Sequence, residues 1–306
     1  MKKVRMGIVR LEAQGSFYAK ILSGQPIIPG ADPINPSDLL ELTAVSNRDP
    51  AAFGALHDRP KIRCFTDWHE MITSGACDAV ILSVPHQLHS EIAIYAMEHG
   101  IHVFCKKPTS VRASDTRAMI ACAEKHPELT FAVMFNQRTN TVYTRLHEMI
   151  TSGQLGEPRR FNWIMNTNWR PDSYYASAKW RGTWKGEGGG LVNTAPRQLD
   201  LWMWLCGKPA SVYTVAREGF HRDVEVETDA TILAEYENGA TGIFMACTHD
   251  MMGTDRMEID LSRGKVVVEN GSHATMTTFL RLRAGILSNS IAEMKASPLP
   301  RLQRIA

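Results

Sequence analysis

The stretch from Asn166 to Gly186 holds Trp169, Arg170, Tyr174, Tyr175, Lys179, Trp180, Arg181, Trp184 and Lys185. Flat aromatic faces beside hydrogen-bond donors suit polyhydroxylated rings. Trp169, Tyr175, Trp180, Arg181 and Trp184 are therefore the residues expected to meet a sugar-like ligand. Aromatic and arginine residues are equally enriched at subunit contacts, so that reading stands beside the first. Near the N-terminus, Gly7-Ile8-Val9-Arg10-Leu11-Glu12-Ala13-Gln14-Gly15 runs out of a short apolar segment. In a dinucleotide site, glycines after the first strand let the backbone approach the pyrophosphate, which sits at the positive end of the next helix. Asn47 and Arg48 follow a second apolar run, where an acid would accept ribose hydroxyls and an arginine would accommodate a 2′-phosphate. If a dinucleotide binds here, NADP is at least as well served as NAD; the competing reading is an Asx-turn residue beside a solvated arginine. Ser83-Val84-Pro85-His86 closes another apolar run, where open α/β sheets hold ligands. For His86 and His89 the alternatives are a surface residue and a helix cap.

The elements that must position these groups fall into two rhythms. Val4 to Val9, Leu40 to Val45, Ala79 to Val84, Ile101 to Cys105 and Thr130 to Phe135 read as strands. Between them, helices are expected around Ser16 to Leu22, Pro50 to His57, Trp68 to Ser74, Ser90 to His99 and Ala113 to Lys125, with a Pro/Gly-rich loop at Gln25 to Pro36. Strands alternating with helices at this spacing imply parallel pairing with helices on both faces. Residues 1–137 are thus expected to form a doubly wound, Rossmann-like unit.

After a helix at Thr144 to Ile150 the rhythm changes to long strands: Arg160 to Thr167, Ala210 to Ala216, Ala230 to Tyr236, Ala240 to Cys247, Arg256 to Leu261 and Lys265 to Glu269. Asn238-Gly239 and Arg263-Gly264 mark turns between them. Residues 138–306 are expected to carry a large, mostly antiparallel sheet, interrupted by one helix from about Thr194 to Cys206 that Gly207 stops. Arg281 to Ala306 stays unassigned. The fold class is α/β followed by α+β.

Composition narrows the function classes. With 306 residues and 44% hydrophobic content the chain can bury substantial cores, which excludes a disordered or fibrous protein. A balance of 34 Lys+Arg against 32 Asp+Glu is too even to build a phosphate-tracking surface, so no nucleic-acid partner is expected. Six cysteines far apart, without a CxxC motif, indicate neither a zinc site nor a disulfide framework, and no metal is expected. No leader or membrane-length apolar run is seen, so a cytoplasmic protein without a membrane partner follows.

Several segments together resemble the Gfo/Idh/MocA oxidoreductases, the glucose-fructose oxidoreductase and inositol dehydrogenase-like family. They are AVSNRDP (44–50), DAVILSVPHQLHSEIAIYAM (78–97), GIHVFCKKP (100–108), FNQRTN (135–140), GQLGEPRRFNW (153–163), WRGTWKGEGGGLVNTAPRQLDLWMWLCG (180–207) and YENGATGIF (236–244). The likeness runs to about residue 282. Members usually continue further, so elements that close the sheet are expected to be missing.

The resemblance implies an NAD or NADP cofactor and hydride transfer at a secondary hydroxyl of a sugar, sugar acid or cyclitol. Its cofactor residues map onto Gly7, Arg10, Gln14, Gly15, Asn47, Arg48, Ser83, Pro85, His86, His89, Lys107 and Pro108. Arg10 and Glu12 stand at the first two glycine positions of the loop and only Gly15 remains, so side chains, one of them anionic, meet the expected phosphate path. Lys107 falls at the lysine that faces the reacting hydroxyl, with Lys106 replacing a glutamate; two nearby like charges would disfavour its ammonium form. Asn193 fits the family's Asp/Asn position, and Arg197 replaces the histidine four residues on, one helical turn away. Arginine stays protonated and cannot take the hydroxyl proton, although it can bind a carboxylate.

Lys107, Asn193 and Arg197 are thus the catalytic candidates. Trp202, Trp204 and Leu205 are expected to be core. A small polyhydroxylated substrate and a homo-oligomer, dimer or tetramer, formed over the second sheet are the implied partners. The rival readings are a catalytically silent sugar-binding or regulatory relative, explained by Arg10, Glu12 and Arg197, and a truncated, nonfunctional product.

Overall fold

The computed structural model describes residues 2–26, 38–281 and 287–295, and the chain divides into two units, 1–134 and 135–306. The Pro/Gly-rich loop read at Gln25 to Pro36 lies mostly outside the described residues.

The first unit is built on a parallel sheet in the order β3-β2-β1-β4-β5-β6. Its strands are β1 (Val4–Val9), β2 (Leu40–Ser46), β3 (Arg63–Phe65), β4 (Ala79–Leu82), β5 (His102–Lys106) and β6 (Phe131–Met134). Helices α1 (Ala13–Leu22), α2 (Trp68–Thr73), α3 (His89–Glu98) and α4 (Ala113–Lys125) connect them. All four residues of β4 are buried, which is why it reads as an unbroken apolar run and not as an alternation. Separate apolar clusters, one around Met71, Val80, Ile92 and Met119 and one around Ile8, Leu42, Val45 and Phe53, cover the sheet. Strand order reverses between β1 and β4, and that switch point is where such sheets open a crevice for ligands.

The sequence did not reveal β3, a three-residue edge strand too short to show a period. The helix expected from Pro50 to His57 is a 3-10 segment, Pro50–Leu56, broken at Gly54.

The second unit holds an eight-stranded sheet in the order β14-β13-β12-β11-β7-β10-β9-β8, antiparallel throughout except for the β10–β7 pair. Its strands are β7 (Pro158–Met165), β8 (Ser211–Glu218), β9 (Glu227–Glu235), β10 (Thr241–Cys247), β11 (Asp255–Leu261), β12 (Gly264–Glu269), β13 (His273–Arg281) and β14 (Leu287–Lys295). Asn238-Gly239 turns β9 into β10 as expected, with Tyr236 and Ala240 closing the hairpin by a 3.0 Å hydrogen bond. Strand β14 falls in the stretch that showed no periodicity in the sequence.

Helices α5 (Thr141–Thr151), α6 (Asp172–Ala176), α7 (Gly190–Asn193) and α8 (Pro196–Cys206) complete the unit. One sheet face packs on α5 and α8 through Leu146, Phe161, Trp163, Leu201 and Phe244. Trp202 is core, as expected, stacked on Phe244 at 5.4 Å. The opposite face leaves Tyr213, Val215, Leu233 and Ile243 exposed.

Candidate functional site

In the first unit, the carboxyl ends of β1, β2 and β4 enclose a cleft of about 200 Å³, lined by Arg10, Glu12, Ser46, Asn47, Arg48, Asp49, Thr66, Trp68, Val84 and Leu88 among others. At roughly 30 Å³ per water, that is space for a ligand fragment and not for one solvent molecule. Arg10 leaves β1 with a φ of 75°, the left-handed conformation that glycine adopts without penalty. Arg10 therefore holds a backbone conformation that glycine favours. A Cβ on Gly15 would stand 1.9 Å from the Arg10 carbonyl oxygen, so α1 approaches the turn as closely as only glycine allows. Arg10 is ion-paired with Glu12, whose side chain is two-thirds exposed, so the carboxylate does not enter the turn uncompensated.

Asn47 does more than end β2. Its Oδ1 accepts the Leu11 N–H at 3.1 Å and its Nδ2 donates to the Asp49 carbonyl at 3.0 Å, tying the two loops that rim the cleft. Arg48 is exposed beside it. Asp49, two residues beyond the expected acid position, also lines the cleft but caps the following 3-10 turn through the Ala51 N–H at 3.0 Å. Asp49, Thr66 and Trp68 were missed by sequence reasoning; the last two lie after the unrecognised β3.

Two cofactor candidates turn out to have other work. Gly7 sits inside β1, where a Cβ would meet Cys77 Sγ at 3.0 Å and Val80 at 3.2 Å, so its missing side chain serves core packing. His89 opens α3 with no exposed surface. Its Nδ1 lies 2.9 Å from the Pro108 carbonyl and 3.2 Å from that of Thr109, and its Nε2 3.2 Å from that of Val84. Burial holds its pKa below the usual histidine range, so the neutral ring carries one N–H and donates either to the turn after β5 or to the turn after β4. Lys107 and Pro108 form the turn after β5, joined by a cis peptide bond; Lys107 is half-buried and Pro108 buried. Burial lowers the pKa of the neighbouring Lys106. Ser83 is buried against the Gly15 approach, Pro85 and His86 are half-buried at the start of the α3 turn, and Gln14 is exposed in the first turn of α1.

In the second unit, Glu187 organises the glycine-rich stretch. Buried at 3% exposure, it accepts from Asn193 Nδ2 at 2.6 Å, Tyr174 OH at 2.9 Å and the Gly182 N–H at 2.5 Å. Asn193 also donates to Tyr174 OH at 3.1 Å, so its side chain is fixed by a buried network. Under the same stretch lies Glu227, which accepts the Leu191 N–H at 2.8 Å and would stand 2.0 Å from a Cβ on Gly189, a residue at φ 98°. Glu187 and Glu227 escaped sequence reasoning, because one sits inside a motif read for its glycines and the other arrives from β9.

Asn193 and Arg197 do not share one helix. Asn193 ends α7 and Arg197 opens α8, with Pro196 supplying no N–H to continue the ladder. Arg197 is half-buried.

The aromatic loop divides. Tyr175 and Arg181 line a cavity of about 520 Å³ with Asp172, His221, Arg222 and Asp223, large enough for a sugar-sized ligand. Tyr175 is held by Thr248 Oγ1 at 3.1 Å, and the Arg181 guanidinium lies 3.9 Å over the Tyr174 ring. Trp169 and Trp184 are exposed and Trp180 is half-buried under Arg181; none of the three lines the cavity.

Residues 29–135 match the family model described as "Oxidoreductase family, NAD-binding Rossmann fold", and residues 143–267 match "GFO/IDH/MocA C-terminal domain". The chain belongs to the Gfo/Idh/MocA oxidoreductase family. It is 26% identical over 207 residues to the inositol 2-dehydrogenase of Corynebacterium glutamicum, covering 67% of this chain and 55% of that one. The chain spans about half the length of the curated relatives of this kind that it matches.

Among solved structures it resembles the WlbA dehydrogenase of Chromobacterium violaceum in complex with NADH and UDP-GlcNAcA. Identity is 28%, the TM-score 0.77, and the match covers 89% of this chain and 75% of that one. Levoglucosan dehydrogenase in complex with NADH and levoglucosan shares the fold at 19% identity and a TM-score of 0.80, over 98% of this chain and 82% of that one. The Gfo/Idh/MocA first domain binds NAD, and the turn here fits such a group: a bare Cα at Gly15 against Arg10, a glycine-like backbone at Arg10, and a cleft at the switch point. Among the described residues no helix is long and apolar enough to cross a membrane.

Proposed function

We propose that this chain is an NAD(P)-dependent oxidoreductase that moves a hydride to or from a secondary hydroxyl of a sugar, sugar acid or cyclitol. The observation that carries the reading is the preserved turn after β1, where Arg10 keeps a φ of 75° and Gly15 packs against its carbonyl despite the loss of two glycines. Arg10, Asn47 and Arg48 would hold the dinucleotide, with Arg48 exposed where a 2′-phosphate would be met. When bound, the nicotinamide supplies the hydride chemistry.

Lys107 has the role of contacting the reacting oxygen, its turn within hydrogen-bond reach of His89. The role of Asn193 is to orient substrate with an amide already held by Glu187. Arg197 stays cationic, which favours an acidic substrate over a neutral polyol. The relative that holds UDP-GlcNAcA, an acidic sugar nucleotide, supports that choice. The exposed apolar face at Tyr213, Val215, Leu233 and Ile243 supports self-association as a dimer or tetramer.

Calorimetric titration with NADH and with NADPH tests the reading, followed by turnover on sugar acids, polyols and cyclitols. Saturable heat with at least one dinucleotide is expected. No heat with either would remove the oxidant and leave a sugar-binding relative.

A further inference from the structure

Asp229 and Cys247 are register partners in the β9–β10 ladder, at the end away from the Asn238-Gly239 turn. Residues directly opposite in an antiparallel pair project to the same face, and His249 follows Cys247 by two positions. An oxygen of Asp229, the Cys247 Sγ and a ring nitrogen of His249 consequently lie within 4.8 Å of one another. His249 Nε2 is already 3.0 Å from Asp229 Oδ2. The His221 ring, from the β8–β9 connection, stands 5.6 Å from that of His249, and the Phe220 ring 5.2 Å from it. Cys247 is buried, and Asp229 and His249 are half-buried. No other group of three such donors converges in this way among the described residues.

We propose that Asp229, Cys247 and His249 are the protein ligands of a zinc-type divalent ion, with the fourth position open on the His221 side. A thiolate, an imidazole and a carboxylate together select zinc-like ions over magnesium or calcium, which take oxygen donors. Bond lengths of about 2.0–2.3 Å place tetrahedral donors roughly 3.3–3.8 Å apart. Separations of at most 4.8 Å therefore need only side-chain adjustment.

Two negative ligands balance the ion's charge, and binding releases the Cys247 proton to solvent. The backbone N–H groups of Asp250 and His249 are directed at the Cys247 sulfur. The site would pin the strand end that carries Thr248, the residue holding Tyr175 at 3.1 Å in the wall of the arginine-lined cavity. It owes nothing to the dinucleotide cleft. The sequence hid it because Asp229 lies a full hairpin away from Cys247-Thr248-His249.

Chelator-treated full-length protein titrated with Co²⁺ tests the site. One equivalent should produce the near-ultraviolet charge-transfer absorption of a cobalt–thiolate bond, which Zn²⁺ then abolishes. Cys247→Ser should remove that band, and Cys64→Ser should leave it. Asp229→Asn and His249→Gln should each weaken Co²⁺ binding by more than about 10-fold. They should also cancel a Zn²⁺-induced rise in melting temperature, which gives a readout if Cys247→Ser fails to fold. The proposal is overturned if folded protein shows no thiolate band, or if the band survives Cys247→Ser.

Discussion

Arg10 and Glu12, in the turn after β1, are ion-paired with each other. The anion that sequence reasoning set against the phosphates is thus offset by the cation beside it, yet the cation is thereby occupied. Glu12→Gly should release Arg10 toward a phosphate. A removed repulsion of about 1 kcal/mol corresponds to about fivefold tighter NADH binding, with the gain shrinking as ionic strength rises. Calorimetry at low and high salt measures both. An unchanged Kd would mean that the Glu12 carboxylate does not face the phosphates.

The Gly15 position offers the sharpest steric test. In Gly15→Ala the new methyl would meet the Arg10 carbonyl at 1.9 Å, a backbone atom that cannot rotate away. The turn must shift, at a cost of about 1–3 kcal/mol of stability. Dinucleotide binding should be lost even where the protein remains folded, so thermal melts and NADH titration read the two effects separately.

His89 predicts a pH dependence. Burial lowers its native pKa, and the nearby Lys106 acts in the same direction. As pH falls, the unfolded chain takes up the proton first. Stability from this residue is complete above about pH 6.5, the unfolded value, and is lost as pH drops from there toward the depressed native value. His89→Gln should flatten that slope in melting temperature between about pH 5 and 7. It should also loosen the Lys107-Pro108 turn, seen as a lower kcat with whichever substrate proves active.

How much was legible follows from what each signal depends on. The β4 run and the last four residues of β1 announced themselves because both of their faces are buried, and Asn238-Gly239 announced its hairpin by local chemistry. The edge strand β3 has only three residues, and β14 lies in a stretch without alternation, so neither carries a period. At the candidate site, motif position singled out Arg10, Gly15, Asn47 and Asn193. Glu187, which holds Asn193, Glu227, which holds Leu191, and Thr248, which holds Tyr175, are fixed by tertiary contacts that no spacing encodes. The packed sulfur beside Gly7 and the carbonyls around His89 are likewise tertiary neighbours that spacing does not show.

Arg138 and Asp200 form a bidentate pair at 2.8 and 2.6 Å that joins the segment before α5 to the middle of α8. Asp200 is largely enclosed, whereas Arg138 is nearly half exposed. Asp200→Asn leaves the guanidinium with a weaker acceptor and should cost about 2 kcal/mol. Urea denaturation at neutral pH measures it as a lower midpoint with an unchanged slope. A loss near zero would mean that solvent replaces the carboxylate.

On the proposed function, Arg197 sets which substrates the second unit takes. It stands in the first turn of α8, where the helix's positive end adds to its own charge, so an anion is doubly favoured and a general base is not available there. Histidine at that point would feel the same positive end, which holds an imidazole neutral and able to take a proton near pH 7. Arg197→His should therefore weaken binding of acidic sugars by at least about tenfold, the effect of removing a charge-assisted hydrogen bond. The same variant should raise oxidation of neutral polyols or cyclitols above the wild-type rate. Absorbance of the reduced nicotinamide follows both on one substrate panel. If the variant loses acid binding without gaining turnover, Arg197 is a substrate anchor and the proton acceptor lies elsewhere, with Lys107 the next residue to replace.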